Sequence, residues 1–130
     1  MSYDFSFSGI KSAVINLVHN ERQRGREINK EDLATSFQET AVGILVKKTK
    51  RALKEYGVKQ LLVAGGVSAN SGLRKALEEV CKELGVELLK PEIKYCTDNA
   101  AMIGAAGYYA YLRGDIADFS LNPEPGLDLE

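Results

Sequence analysis

Gln60-Leu61-Leu62-Val63-Ala64-Gly65-Gly66-Val67-Ser68-Ala69-Asn70 is the stretch on which the fold turns. Its first five residues are a near-continuous apolar run closed by a glycine pair, the pattern of a short, buried central strand. Beyond the glycines, Leu73, Ala76, Leu77, Val80 and Leu84 recur at helical spacing until Gly85. A strand, a glycine turn and a helix start, in that order, aim backbone N–H groups at a place where an anion can sit. Gly65 and Gly66 allow a turn that other residues resist, and let a phosphate or acyl phosphate approach the main chain. Asn70 falls near the first turn of the helix, where its amide can donate and accept toward a ribose or a purine edge. The same residues also fit an ordinary strand-to-helix turn with a polar cap. Spacing alone leaves both readings open.

Upstream of this stretch, Leu33, Phe37, Ala41, Ile44, Leu45, Ala52, Leu53 and Tyr56 form one apolar stripe. Asn29 is its expected cap, Asp32 gives an acidic first turn, and Gly57 is its stop. Lys47, Lys48, Lys50, Arg51 and Lys54 crowd its last turns, either as a solvated face or as an RNA-contacting one. Ile10, Ala13, Val14, Leu17 and Val18 give residues 10–22 an apolar helical face, ended by Arg24-Gly25-Arg26. Tyr3, Phe5 and Phe7 alternate with polar residues, which predicts a short, half-buried strand. Downstream, Val86 to Leu89 predicts another strand, and Pro91 and Tyr95 belong to a connection.

A third long helix is expected from Asp98 to Leu112, ended by Gly114. Gly104 and Gly107 inside it cost helix stability, which suggests that something packs close to its backbone. The fold class is α/β: a thin sheet of three strands packed by helices, with right-handed crossovers. Residues 1–119 form one domain, better suited to being a lobe of something larger, and residues 120–130 a mobile tail.

The chain has 130 residues, 45% of them hydrophobic and 27% charged, enough apolar material for a core. A net charge of −1 gives no global field to recruit nucleic acid or an anionic membrane. Two cysteines make no disulfide scaffold, and no secretory segment is seen, so a reducing cytoplasm is expected. No apolar run approaches the roughly 20 residues that span a bilayer.

Cys96-Thr97-Asp98-Asn99-Ala100 puts a carboxylate at the start of an apolar helix. Asp98 is a helix cap or a ligand reaching into a cleft. As a metal ligand it needs companions, and His19 has no histidine or cysteine at ligand spacing. Cys96 reads as packing, since a neighbouring carboxylate does not favour a thiolate. There is no G-x-S-x-G elbow and no HExxH, so hydrolase chemistry has no constellation here.

Asp4-Phe5-Ser6-Phe7-Ser8-Gly9-Ile10-Lys11, Val63 to Asn70 with Leu73-Arg74, and Cys96 to Gly104 together resemble the C-terminal half of the bacterial TsaD family, once described as a glycoprotease or O-sialoglycoprotein endopeptidase. The resemblance covers nearly the whole chain. It implies one lobe of an actin-like ATPase fold, shared with sugar kinases and heat-shock chaperones, with a mixed sheet. It implies transfer of threonylcarbamoyl from threonylcarbamoyl-adenylate to N6 of adenosine 37, in tRNAs reading codons that begin with A. It also implies one iron or zinc per subunit, with Asp98 as a ligand, Asn70 in contact with the adenylate, and Gly65 and Gly66 lining that site.

In the family two histidines on a helix of the N-terminal half complete the metal set, and those are not among these residues. The expectation is therefore a truncated lobe, inactive alone and prone to self-association through surface that normally faces its partner. TsaB, TsaE and tRNA are the partners the resemblance implies. Two alternatives stand beside it: a lobe of a related actin-like kinase or carbamoyltransferase, and a non-enzymatic assembly module using the apolar face of residues 10–22.

Overall fold

Asn29 starts the longest helix as the sequence predicts. Its Oδ1 accepts from the backbone N–H groups of Glu31 (3.0 Å) and Asp32 (3.2 Å), and those two carboxylates complement the positive end of the helix dipole. The helix ends at Gly57, whose φ of 60° is the left-handed conformation that glycine adopts freely. The computed structural model describes residues 2–123 and 126. Among them are four helices, α1 (Ser8–Gln23), α2 (Lys30–Tyr56), α3 (Ser71–Leu84) and α4 (Ala100–Leu112), and two strands, β1 (Gln60–Leu62) and β2 (Glu87–Leu89). The chain forms two compact units, Met1–Cys96 and Thr97–Glu130.

In the first unit β1 and β2 pair in parallel, with Leu61 opposite Leu88, and α3 makes the crossover between them. The bonds Val63 N–H to Leu89 O (3.0 Å) and Glu87 N–H to Lys59 O (2.9 Å) extend the ladder at both ends. The core is Leu53 of α2 with Val80 and Cys81 of α3, joined by half-buried Val46, Leu61, Leu84, Val86 and Leu88. α3 lays Leu73, Leu77, Val80 and Cys81 on its inner side and ends at Gly85 (φ 66°). Burial pushes the Cys81 thiol up from its ordinary pKa.

Two expectations about the first unit fail. Residues 3–7 form no strand. Tyr3 and Phe5 lie along α2 instead, with the Arg51 guanidinium 4.3 Å from the Tyr3 ring centre and Lys48 5.6 Å from that of Phe5. Tyr3 gives its phenolic hydrogen to Glu55, which is the first cause of its raised pKa. Alternation therefore marks a segment that lays one side on a helix, with no ladder to join.

The described sheet is parallel and two-stranded rather than a mixed sheet of three strands. Because helices cover only the face carrying Leu61, the strand is not buried on both sides: Leu62 is 72% exposed. Three of the five basic residues in the α2 cluster are tied to neighbours, while Lys47 and Lys54 are exposed. Lys48 bonds Asp4 O, Lys50 pairs with Glu83 at 2.6 Å, and Arg51 reaches Ser2 O at 3.2 Å.

In the second unit α4 begins at Ala100, two residues later than the sequence suggested. Nothing lies within 4 Å of where a Cβ would stand on Gly104 or Gly107, so no close packing explains those glycines among the described residues. The expected mobile tail falls largely on residues 124, 125 and 127–130, which lie outside the described residues.

Candidate functional site

The turn after β1 is built on Gly65, whose φ of 84° and ψ of 170° an L side chain rarely adopts. Among the described residues nothing lies within 4 Å of a Cβ placed there, so conformation rather than crowding calls for the glycine. Gly66–Ala69 then make one 3-10 turn. Ser68, only 1% exposed, gives Gly65 O both its backbone N–H (3.0 Å) and its hydroxyl (2.6 Å). Asn70 N–H goes to Val67 O (3.0 Å). Two of the backbone donors expected to face a ligand are thus consumed inside the turn.

Asn70 is the cap of α3. Its Oδ1 accepts from Leu73 N–H at 2.9 Å, and its Nδ2 donates to Gln38 Oε1 of α2 at 3.2 Å. Beside this pair opens a cleft of about 420 Å³, walled by Phe7, Phe37, Val42, Val67 and Leu73. The cleft lies at the carboxyl end of the parallel strands, where α/β folds place ligands.

Arg74, one turn into α3, ties the loops after both strands together. Its Nε donates to Ser68 O (2.5 Å), and its Nη2 to Pro91 O (2.7 Å) and Cys96 Sγ (3.1 Å). Cys96 is 3% exposed, which fits its reading as a packing residue.

In the second unit the cap of α4 is Asn99, whose Oδ1 accepts from Met102 N–H at 3.0 Å and whose Nδ2 donates to Thr97 O at 2.9 Å. Asp98 is therefore not the cap. It is exposed, and its carboxylate accepts no hydrogen bond and meets no cation among the described residues. An uncommitted, accessible carboxylate is a chemically suitable oxygen donor for a metal, though only one of a set. Among the described residues no three His, Cys, Asp or Glu gather as a metal cluster, and His19 is exposed on α1.

Gly65, Gly66 and Asn70 thus share one turn, while Asp98 belongs to the other unit. Sequence reasoning missed Gln38 and the clamp made by Arg74. Neither breaks a hydrophobic pattern, and each bonds across a large sequence separation, 32 residues for the Asn70–Gln38 pair.

These features define an α/β protein with a glycine turn, a polar cap and an apolar cleft at the ends of parallel strands. The family profile for TsaD, tRNA N6-adenosine threonylcarbamoyltransferase, matches residues 1–105. The protein of that name from Bacillus cereus strain ATCC 14579 is 60% identical over 130 residues, 99% of this chain. The one from Geobacillus thermodenitrificans is 58% identical over 98% of the chain, and the one from Limosilactobacillus fermentum 61% over 97%. The chain belongs to the tRNA N6-adenosine threonylcarbamoyltransferase family. It spans 38% of the length of the Bacillus and Geobacillus relatives.

Proposed function

We propose that these residues form one wall of the active site of a tRNA N6-adenosine threonylcarbamoyltransferase, in the C-terminal lobe of an actin-like ATPase fold. The observation that carries this reading is the match to the family over residues 1–105, which includes the glycine turn, Asn70 and Asp98. The whole protein transfers threonylcarbamoyl from its adenylate to N6 of adenosine 37, and AMP leaves.

Asn70 holds the nucleoside portion of the adenylate through the amide N–H that Gln38 does not take. Gly65 and Gly66 keep the turn beside it low enough for the ligand to approach the main chain. Asp98 serves as one ligand to iron or zinc, the two remaining protein ligands coming from histidines outside these residues. A bound metal supplies Lewis-acid polarisation of the threonylcarbamoyl group. The target adenosine leaves its stack to reach the cleft, and a tRNA substrate places the reaction in the cytoplasm. No helix among the described residues is long and apolar enough to cross a membrane.

The test is metal content and adenylate binding in a full-length protein carrying this sequence. Asp98→Ala is expected to lose the metal, and Asn70→Ala to weaken adenylate binding. Full metal occupancy in Asp98→Ala refutes the assignment of that carboxylate.

A second reading, an assembly surface, is favoured by the apolar side of α1, where Leu17 stays exposed and Ile10, Val14 and Val18 are only half-buried. That face would pair with TsaB, with TsaE joining the complex, or with a second copy of this chain. Complex mass on mixing with TsaB, and light scattering of the chain alone over a range of concentrations, separate these outcomes. A strict monomer in both experiments counts against the surface.

A further inference from the structure

Asn70 performs two tasks with one side chain, and the second depends on a residue from another helix. Its Oδ1 is committed to the α3 cap by Leu73 N–H (2.9 Å), which fixes which end of the amide is oxygen, because a flipped amide would set NH2 against an N–H donor. Its Nδ2 carries two hydrogens, and one goes to Gln38 Oε1 (3.2 Å). One N–H is left over.

The backbone makes room for this arrangement. A Cβ on Gly72 would stand 3.3 Å from Asn70 Oδ1, a tight approach, and 3.6 Å from Gln38 Nε2, an ordinary contact, so a larger residue there would press on the Asn70 amide oxygen. Among the described residues, Gln38 and Asn70 are also the only polar side chains lining the adjoining cleft, whose other walls are apolar.

We propose that Gln38 is a positioning residue for the adenylate site: its Oε1 holds the Asn70 amide so that the single remaining N–H is presented to an acceptor atom on the nucleoside. This rests on the adenylate reading above and adds to it the residue that sets the donor's direction. Only the oxygen of Gln38 is needed. A glutamate at that position can still accept from Asn70, whereas a methionine of similar length offers only a weakly accepting sulfur.

The experiment uses the 130-residue chain, with adenosine as an uncharged probe, in wild type, Gln38→Met, Gln38→Glu and Asn70→Ala. The side-chain amide resonances of Asn70 are followed by nuclear magnetic resonance without and with the probe. In Gln38→Met the two Asn70 amide protons are expected to shift and exchange faster, and adenosine to bind about fivefold more weakly, the loss of one net hydrogen bond. Gln38→Glu is expected to restore both readouts, which a merely space-filling role would not require. Unchanged Asn70 resonances in Gln38→Met, or unchanged adenosine affinity there while Asn70→Ala loses it, overturns the proposal. If adenosine binds none of the forms, the nucleoside reading fails for this chain. The ligand-free Asn70 resonances then decide the positioning claim alone: a shift in Gln38→Met upholds it and no shift overturns it.

Discussion

α3 and α4 start in the same way and then part company. Each opens on an asparagine whose Oδ1 takes the N–H three residues on, at 2.9 Å for Asn70 and 3.0 Å for Asn99. α3 gathers its apolar residues on one side and buries four of them. α4 is apolar all round, carries no charge over 13 residues and buries none. A local device that starts a helix is therefore indifferent to what the helix does next. Amphipathic α3 is complete within its own unit. A helix apolar on every side belongs in a protein interior, and the chain spans only 38% of its Bacillus relative.

Truncating the buried side of α3 tests that contrast with the largest effect. Leu77→Ala, at a position 4% exposed, is expected to cost about 3 kcal/mol in urea unfolding. Ile103→Ala on α4, 66% exposed, is expected to cost less than about 0.5 kcal/mol in the same assay. Equal costs would mean that α4 is packed in solution. Removing the α3 clamp comes next. Arg74→Ala leaves Ser68 O and Pro91 O without their charged donor and is expected to cost about 2 kcal/mol. Hydrogen exchange should quicken in the loops after both strands and leave α4 unchanged.

The two caps should behave alike. Asn70→Ala and Asn99→Ala are each expected to cost their helix about 1 kcal/mol, seen as faster amide exchange in its first turn. The smallest effect belongs to the Lys50–Glu83 pair, which fastens α3 to α2. The bond from Lys50, and then its charge, hold the Glu83 carboxyl below the ordinary carboxylate range. A carboxyl whose pKa is depressed by folding stabilises above its unfolded pKa, and that share is lost as the pH falls through the folded value. Thermal melts of wild type and Glu83→Gln should therefore differ slightly near neutrality and converge in acid.

Much of the first unit was legible before any coordinates. Asn29, Gly57, Asn70 and Gly85 bracket their helices because caps and stops are local chemistry, set within a few residues. The glycine turn was legible for the same reason: only Gly65 suits a φ of 84°. The failures have one physical source. Tyr3 and Phe5 carry strand periodicity but lie on Arg51 and Lys48, and periodicity does not say what a face lies on. Gln38 sits beside the apolar stripe of α2 and is exposed, and nothing local records that a hydrogen-bond partner arrives 32 residues later. Asp98 and Asn99 both suit a cap by residue type, and only the geometry shows that Asn99 takes it.

The shared cap geometry supplies the most direct test of the site. In a full-length protein carrying this sequence, the affinity for a stable threonylcarbamoyl-adenylate analogue is measured for Asn70→Ala and Asn99→Ala together. Asn70→Ala is expected to lose about tenfold in affinity and Asn99→Ala to stay within about twofold, although both lose a cap of the same kind. Equal affinities in the two variants would contradict the account, because Asn70 would then be a cap and nothing more.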